Sequence, residues 1–290
     1  ERNETFGYAD RFDEKYDLVR FLRLGKYTYV RNLQGFYPDA LQNNYRYRML
    51  AFSEWRELYD SAKLTPEQSQ FHQARPAEQL FDVETDPHEV NNLAGNPKYA
   101  QALEKLRSRM QEKLSEINDL SFYPESHMVE EALGNGIQYG MKHRSELARL
   151  AAVADLALLP WSEARGPLVE AMRSNEEWER YWACITASVF GQRAKPLVAE
   201  AKKLLGDDNL LVRARAAEFL GTLKALDPMP TLVEVLNESE SPQEILLVFN
   251  MVVYLRDYKG FAFDLSQVKL KIKGGETSRR TDYLSGKAKL

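Results

Sequence analysis

The chain has 290 residues, of which 44% are hydrophobic and 28% charged, with a net charge of -4. This can bury one good core or two smaller ones, and it argues against a nucleic-acid or polyanion binder driven by bulk charge. No run approaches ~18 uncharged apolar residues, so no transmembrane helix is expected. The single cysteine, Cys184, excludes an intrachain disulfide and a Cys-rich metal site, and its setting, YWACITASVF, predicts a small buried side chain. Glu1–Asp10 is polar, lacks an apolar h-region and has no initiator Met, so it predicts no signal peptide and reads as the start of an excised or processed piece.

Leu18–Leu22 is apolar and extended, Leu24-Gly25 reads as a turn, and Lys26–Arg31 alternates polar with aromatic and β-branched residues. Together they predict a hairpin. Pro38–Ser61, rich in Tyr, Arg and Trp, reads as irregular or helical, and Gln79–Val83 as a third strand. Asn96-Pro97 predicts a helix start, because Asn caps free amides and Pro lacks the N–H that would be unpaired there. The apolar residues Ala100, Leu103, Leu106, Met110, Leu114 and Ile117 then fall on one face, and Glu104, Lys105, Arg109 and Glu112 face water. Such a helix needs a sheet or other helices to cover it. The run Ala132–Gly140, with Gly134, Gly136 and Gly140, predicts a joint at 134–142. It separates a mixed part, 1–133, from a helical part, 143–260, and a tail, 261–290.

The helical part shows four apolar faces: Leu147, Leu150, Ala151, Ala154 and Leu158; Trp178, Tyr181, Trp182, Ile185 and Val189; Val212, Ala216, Phe219, Leu220 and Leu223; Ile245, Val248, Phe249 and Val252. Shorter apolar helices, Pro167–Met172, Pro196–Leu205 and Met229–Leu236, lie between them. The intervals Asn175 to Asn209 and Pro196 to Pro230 are both 34. Paired helices at this period predict HEAT-like repeats, whose units stack because none buries its face alone. Ser241-Pro242 opens the last long helix. In the tail, Val268, Leu270 and Ile272 alternate with lysines, predicting a strand or an exposed amphipathic segment. Gly274-Gly275 breaks it, and Arg279–Leu290 reads as a short helix or a frayed end.

Four stretches taken in order carry a family resemblance: ADRFDEKYDLVRFLR (Ala9–Arg23), GKYTYVRN (Gly25–Asn32), RPAEQLFDVETDPHEVNNLAGNP (Arg75–Pro97) and ALEKLRSRMQEKL (Ala102–Leu114). With them, residues 5–133 resemble the C-terminal subdomain of a type I, formylglycine-dependent sulfatase of the heparan-sulfamidase-like kind. The resemblance implies a four-stranded antiparallel sheet carrying the long helix, the whole chain being α+β followed by an all-α repeat domain. It also implies a neighbouring catalytic domain with a formylglycine made from Cys/Ser-x-Pro/Ala-x-Arg, a calcium held by carboxylates and a sulfate-binding Lys. There formylglycine hydrate attacks sulfur while the metal stabilises charge on the sulfate oxygens. These 290 residues lack that motif. Cys184 is followed by Ile185, Thr186, Ala187 and Ser188, and Ser162 has Ala164 two positions on but Gly166, not Arg, four on. Asp207-Asp208 reads as a cap and turn rather than a metal site. The chain alone is expected to be inactive, with catalytic residues and metal ligands assigned to none of its positions.

The resemblance brings Asp10, Arg11, Asp13 and Glu14 toward a substrate, where an arginine would hold a sulfate or carboxylate through two hydrogen bonds. The alternative is a salt-bridged start of a strand. His72 and His88 could titrate near neutral pH, although His88 reads as a turn residue; His127 and His143 receive no role. The arginines Arg20, Arg23, Arg31, Arg46, Arg48 and Arg56, interleaved with Tyr27, Tyr29, Tyr45, Tyr47 and Trp55, could stack and neutralise RNA. Neighbouring acids favour instead an exposed sheet face with Arg over Tyr, and neither nucleic acid nor membrane is expected as a partner. Trp178–Trp182 reads as helix core rather than a cofactor box.

The reading is therefore a C-terminal fragment of a sulfuric ester hydrolase acting on sulfated carbohydrate, forming a wall of the substrate cleft. Its partners would be the catalytic domain and a sulfated glycan, and its location periplasmic or secreted, by resemblance alone. The alternative is a HEAT-like module for protein binding or scaffolding.

Overall fold

The structure is a computed structural model and describes residues 3–287. Strands β1 (Glu4–Phe12), β2 (Lys15–Leu24), β3 (Tyr27–Asn32) and β4 (Glu78–Asp82) form an antiparallel sheet in chain order. Gly25, at φ 62, makes the tight β2–β3 turn, a conformation glycine adopts without steric cost. Asp13, at φ 49, turns β1 into β2. The residue pattern predicted three strands, and β1 was implied only by the family resemblance. ETFGYADRF is an edge strand with few buried positions and a glycine, so its alternation is weak.

One face of the sheet carries a straight apolar line. Leu22 pairs with Tyr29 and Tyr29 with Leu80, so the three side chains stand side by side across β2, β3 and β4. All three are fully buried under Leu103, Leu106 and Met110 of the long helix α4 (Ala100–Ile117). Six such side chains, at about 2 kcal/mol each, account for the docking of helix on sheet. Asn96 caps the turn Pro97–Tyr99 that opens α4, and Asn118, at φ 48, closes it. The apolar stripe is shorter than expected, since Ala100 is exposed and so is Ile117.

Between β3 and β4 lie α1 (Asn44–Tyr47), α2 (Leu50–Asp60) and α3 (Pro66–Ser69). The loop before them is buried and delivers Leu33, Phe36, Tyr37 and Leu41 into the core of the helical part. That part comprises the single turn α5 (Glu125–His127), α6 (Gly136–Lys142), α7 (Arg144–Asp155), α8 (Trp161–Met172), α9 (Glu177–Phe190), α10 (Val198–Lys203), α11 (Leu210–Thr222), α12 (Met229–Glu238), α13 (Pro242–Lys259) and α14 (Gly275–Leu284). Helix α9 packs against α7, α8 and α11, and α11 packs in turn against α12 and α13. Helices α11 and α13 are buried around almost their whole circumference. The chain is thus α+β at its front and all-α behind, with the loop at 33–41 carrying one core into the other.

Several local expectations change. Gly134 lies in a turn while Gly136 and Gly140 belong to α6, and a Cβ on Gly140 would sit 3.0 Å from Asn118 Cβ, so glycine is there for close packing. Pro167 lies inside α8 instead of opening a helix. Val268, Leu270 and Ile272 form no strand. No strand lies beside them, and the Asn237 side chain takes up the backbone groups instead, donating to Gln267 O at 3.1 Å and accepting from Lys269 N at 2.5 Å. The segment presses its apolar side chains on the helical core before α14. The end residues 288–290 of the expected terminal helix lie outside the described residues. Finally, Arg20 and Arg31 stand on the covered face of the sheet, buried, and not on an exposed one.

Candidate functional site

The four residues singled out as substrate-binding, Asp10, Arg11, Asp13 and Glu14, surround the β1–β2 turn; the side chains of the first three meet groups that follow α4, whereas the Glu14 side chain turns to α1. Asp10 accepts from Arg20 Nη1 at 2.5 Å and from Ser121 Oγ at 2.8 Å. Arg11 pairs with Glu125 at 3.1 Å and with Glu276 of α14. Asp13 lies 3.7 Å from Arg279. Glu14 is buried; its carboxylate accepts from Asn44 N, and its backbone carbonyl accepts from Arg280 Nε at 3.2 Å and Nη2 at 2.7 Å. Arg280 also donates to Gln42 O at 2.8 Å and Asn250 Oδ1 at 3.1 Å. Burial draws its pKa down to about 10.

Arg20 joins the two cores. Along β2, Leu22 and Leu24 point at α4 while Tyr16 and Leu18, on the same face by strand alternation, point into the helical core. Arg20 stands between them, 1% exposed, with Nε 2.7 Å and Nη2 3.2 Å from the Asp119 carboxylate just past α4. On the opposite face Asp17 is buried against Arg75 at 2.7 Å and Lys15 at 3.0 Å. Burial alone would raise its pKa, but the two cations outweigh it and hold the carboxyl at about 2.

A second buried network lies deeper. Arg215 and Glu218, both on α11 and fully buried, pair at 2.7 Å. Tyr37 donates to Glu218, and Arg215 donates to the hydroxyls of Tyr37 at 3.0 Å and Tyr181 at 2.9 Å. Burial raises the Glu218 pKa despite Arg215 and Tyr37, and raises Tyr37 well above a free phenol.

Between these networks is a pocket of about 180 Å³. Asp10 and Arg11 line it with Tyr16, Gln34, Tyr181 and Arg215. Arg215 Nε and Gln34 Oε1 have no hydrogen-bond partner, although both residues are buried. A separate groove of about 470 Å³ between α4 and α7 is walled by Leu114, Leu147, Ala151 and Leu159, with Arg107, Arg144 and Asp155 also lining it. Among the described residues no group of three His, Cys, Asp or Glu is placed to hold a metal ion.

The remaining candidates settle as structural side chains. His72 is enclosed by Tyr59, Trp55 and Phe71, and burial, aided by Arg56, pushes its pKa down to about 4. His88 lies exposed in the turn after β4. His127 hydrogen-bonds the Tyr139 hydroxyl at 2.8 Å, and His143 stacks on the same ring. Asp207 pairs with Arg180 at 2.6 Å and Asn209 caps α11. Cys184 is buried, its thiol pushed up to about 12 by burial. Trp178 and Trp182 are core, and Trp182 Nε1 donates to Phe122 O at 2.6 Å. Sequence reasoning missed Tyr16, Gln34, Tyr181, Arg215 and Glu218. A signal existed for the last two, an Arg and a Glu three apart within the otherwise apolar stretch ARAAEFLG of α11.

No family model matches the chain. About half of the chain is related in sequence to a sulfatase. One relative is the ulvan-active sulfatase of Formosa agariphila (strain DSM 15362 / KCTC 12365 / LMG 23005 / KMM 3901 / M-2Alg 35-1), to which the chain is 39% identical over 140 residues. The match covers 47% of this chain and 23% of that protein, so it spans less than a quarter of the relative. No described helix is long and apolar enough to cross a membrane.

Proposed function

We propose that this chain is the C-terminal fragment of a sulfuric ester hydrolase acting on sulfated carbohydrate, of the heparan-sulfamidase-like kind, in which it forms a wall of the substrate cleft. The observation that carries the reading is the 39% identity over 140 residues to a sulfatase. The formylglycine, the calcium and the sulfate-binding Lys would belong to a catalytic domain that this chain meets, and the enzyme would be periplasmic or secreted. Of the four turn residues, Arg11 and Asp10 line the pocket and would face the uncharged hydroxyls of a sulfated glycan, while Asp13 and Glu14 would hold the turn. The test is turnover of an aryl sulfate. The pure chain is expected to show none, and the chain joined to a domain bearing Cys/Ser-x-Pro/Ala-x-Arg is expected to show it. Turnover by the pure chain overturns the fragment reading, and inactivity of the joined protein overturns the sulfatase reading.

For the helical part we infer a HEAT-like stack. Ion pairs recur along the helical part, Arg149 of α7 with Glu179 of α9, Arg180 of α9 with Asp207 after α10, and Arg213 of α11 with Glu238 of α12, in keeping with stacked units. If this part serves as a protein-binding scaffold, the chain will retain a partner after the joined catalytic domain is cleaved away; loss of every partner on cleavage removes that role.

A further inference from the structure

The pocket at the seam has a chemistry of its own. Its charged groups are already neutralised. Arg11 is paired with Glu125 and Glu276, Asp10 with Arg20, Asp17 with Arg75 and Lys15, and Arg215 with Glu218. No spare charge is left to draw in a sulfate or another ion. What is left over is one donor, Arg215 Nε, one acceptor, Gln34 Oε1, and the Tyr123 hydroxyl, on residues no more than 2% exposed. A buried polar atom left dry costs about 1–3 kcal/mol, so native proteins give such atoms a partner. A hydroxyl both accepts and donates, so a neutral ligand bearing several hydroxyls can serve all of them without adding charge.

The walls narrow the choice further. Leu18, Pro124, Met128 and Leu247 join Tyr16 and Tyr181 around the space, an apolar and aromatic lining suited to the C–H face of a saturated ring. The volume of about 180 Å³ is several times the ~30 Å³ share of a liquid water and below the ~300 Å³ at which pockets for drug-sized ligands begin. We propose that this pocket binds a small neutral polyhydroxylated molecule, one monosaccharide unit in size, with its hydroxyls on Gln34 Oε1 and Arg215 Nε and its ring against Met128 and Leu247. The site stands on the pocket's own chemistry, apart from the sulfatase reading, and links the sheet to α9, α11 and α13 through the ligand.

The experiment titrates the whole chain, its methionine methyls labelled, with unsulfated hexoses and pentoses and, separately, with inorganic sulfate. The expected result is a saturable shift of the Met128 methyl with at least one neutral sugar and none with sulfate. Gln34→Met is expected to weaken that binding about tenfold or more. Met128→Trp, which fills the cavity and leaves the buried polar groups in place, is expected to abolish it with the fold intact by circular dichroism. Should Gln34→Met fail to fold, Met128→Trp alone decides. Sulfate moving the Met128 methyl where sugars do not overturns the proposal. So does a crystal soaked in the sugars that shows ordered water alone between Gln34 and Arg215. Because the probes carry no sulfate ester, failure here leaves the relation to sulfatases untouched.

Discussion

Tyr37, from the loop after β3, donates its hydroxyl to Glu218 of α11, 181 positions further along the chain. The contact binds the sheet-bearing front of the chain to the helical part through a buried carboxylate whose charge is balanced by Arg215 alone. Taking Tyr37 away leaves Glu218 and Arg215 each short of a partner in a dry site. Tyr37→Phe is therefore expected to cost about 1–3 kcal/mol, and Arg215→Leu about 3–5 kcal/mol because it strands the carboxylate. Both are read from denaturant midpoints. The pair of changes should be strongly non-additive, and additive losses would show that the network is not one unit.

Arg20 tests the coupling of the two cores. Arg20→Met removes the partner of Asp119 and one partner of Asp10, with an expected loss of about 3–5 kcal/mol. Fluorescence and far-UV circular dichroism should still report a single transition at a lower midpoint, because the loop at 33–41 continues to share the core. Two separated transitions would mean that Arg20 alone holds the halves together.

The line Leu22–Tyr29–Leu80 predicts a contrast between substitutions of the same kind. Leu80→Ala, at the β4 end of the buried line, should cost about 2–5 kcal/mol. Leu50→Ala, at a position 86% exposed, should stay within about 0.5 kcal/mol. Equal effects from thermal melts would contradict the placement of α4 on this face.

His72 gives a pH dependence. Its folded-state pKa lies at about 4, below the ordinary 6.5, so the unfolded chain binds the proton more readily. Stability is then full above pH 6.5 and falls as the pH drops from 6.5 toward 4. His72→Phe, which keeps an aromatic ring among Trp55, Tyr59 and Phe71, should flatten that limb. An unchanged slope in denaturant titrations across the window would assign it to other groups. A further fall belongs to Asp17, whose pKa is depressed from 3.8 to about 2. Its contribution is present above pH 3.8 and is lost as the pH falls through 2.

Much of the fold was legible in the chain because it rests on local signals. The Asn96-Pro97 cap, the spacing of Leu103, Leu106 and Met110, the turn at Gly25 and the apolar faces of α9, α11 and α13 are each properties of a short stretch, and each appears where its pattern put it. Other features depend on partners far away. Val268, Leu270 and Ile272 have a strand's alternation but no neighbouring strand to complete the ladder, so they lie as an irregular strap held by Asn237. Arg20 and Arg31 look like surface cations in a sequence, and only the packing of α4 and α7 over the sheet buries them and supplies Asp119 and Asp155. Asp10, Arg11, Asp13 and Glu14 show the same division. Their place at a salt-bridged start of a strand could be read from residues 9–17, whereas the facing groups, Ser121, Glu125, Glu276, Arg279 and Arg280, come from the far side of the chain. The pocket those contacts frame requires Gln34, Tyr181 and Arg215 to converge from three distant segments. Periodicity and capping reach over a few residues, so the sequence itself determined the elements; convergence is set by which faces bury one another, so the site was decided only in three dimensions.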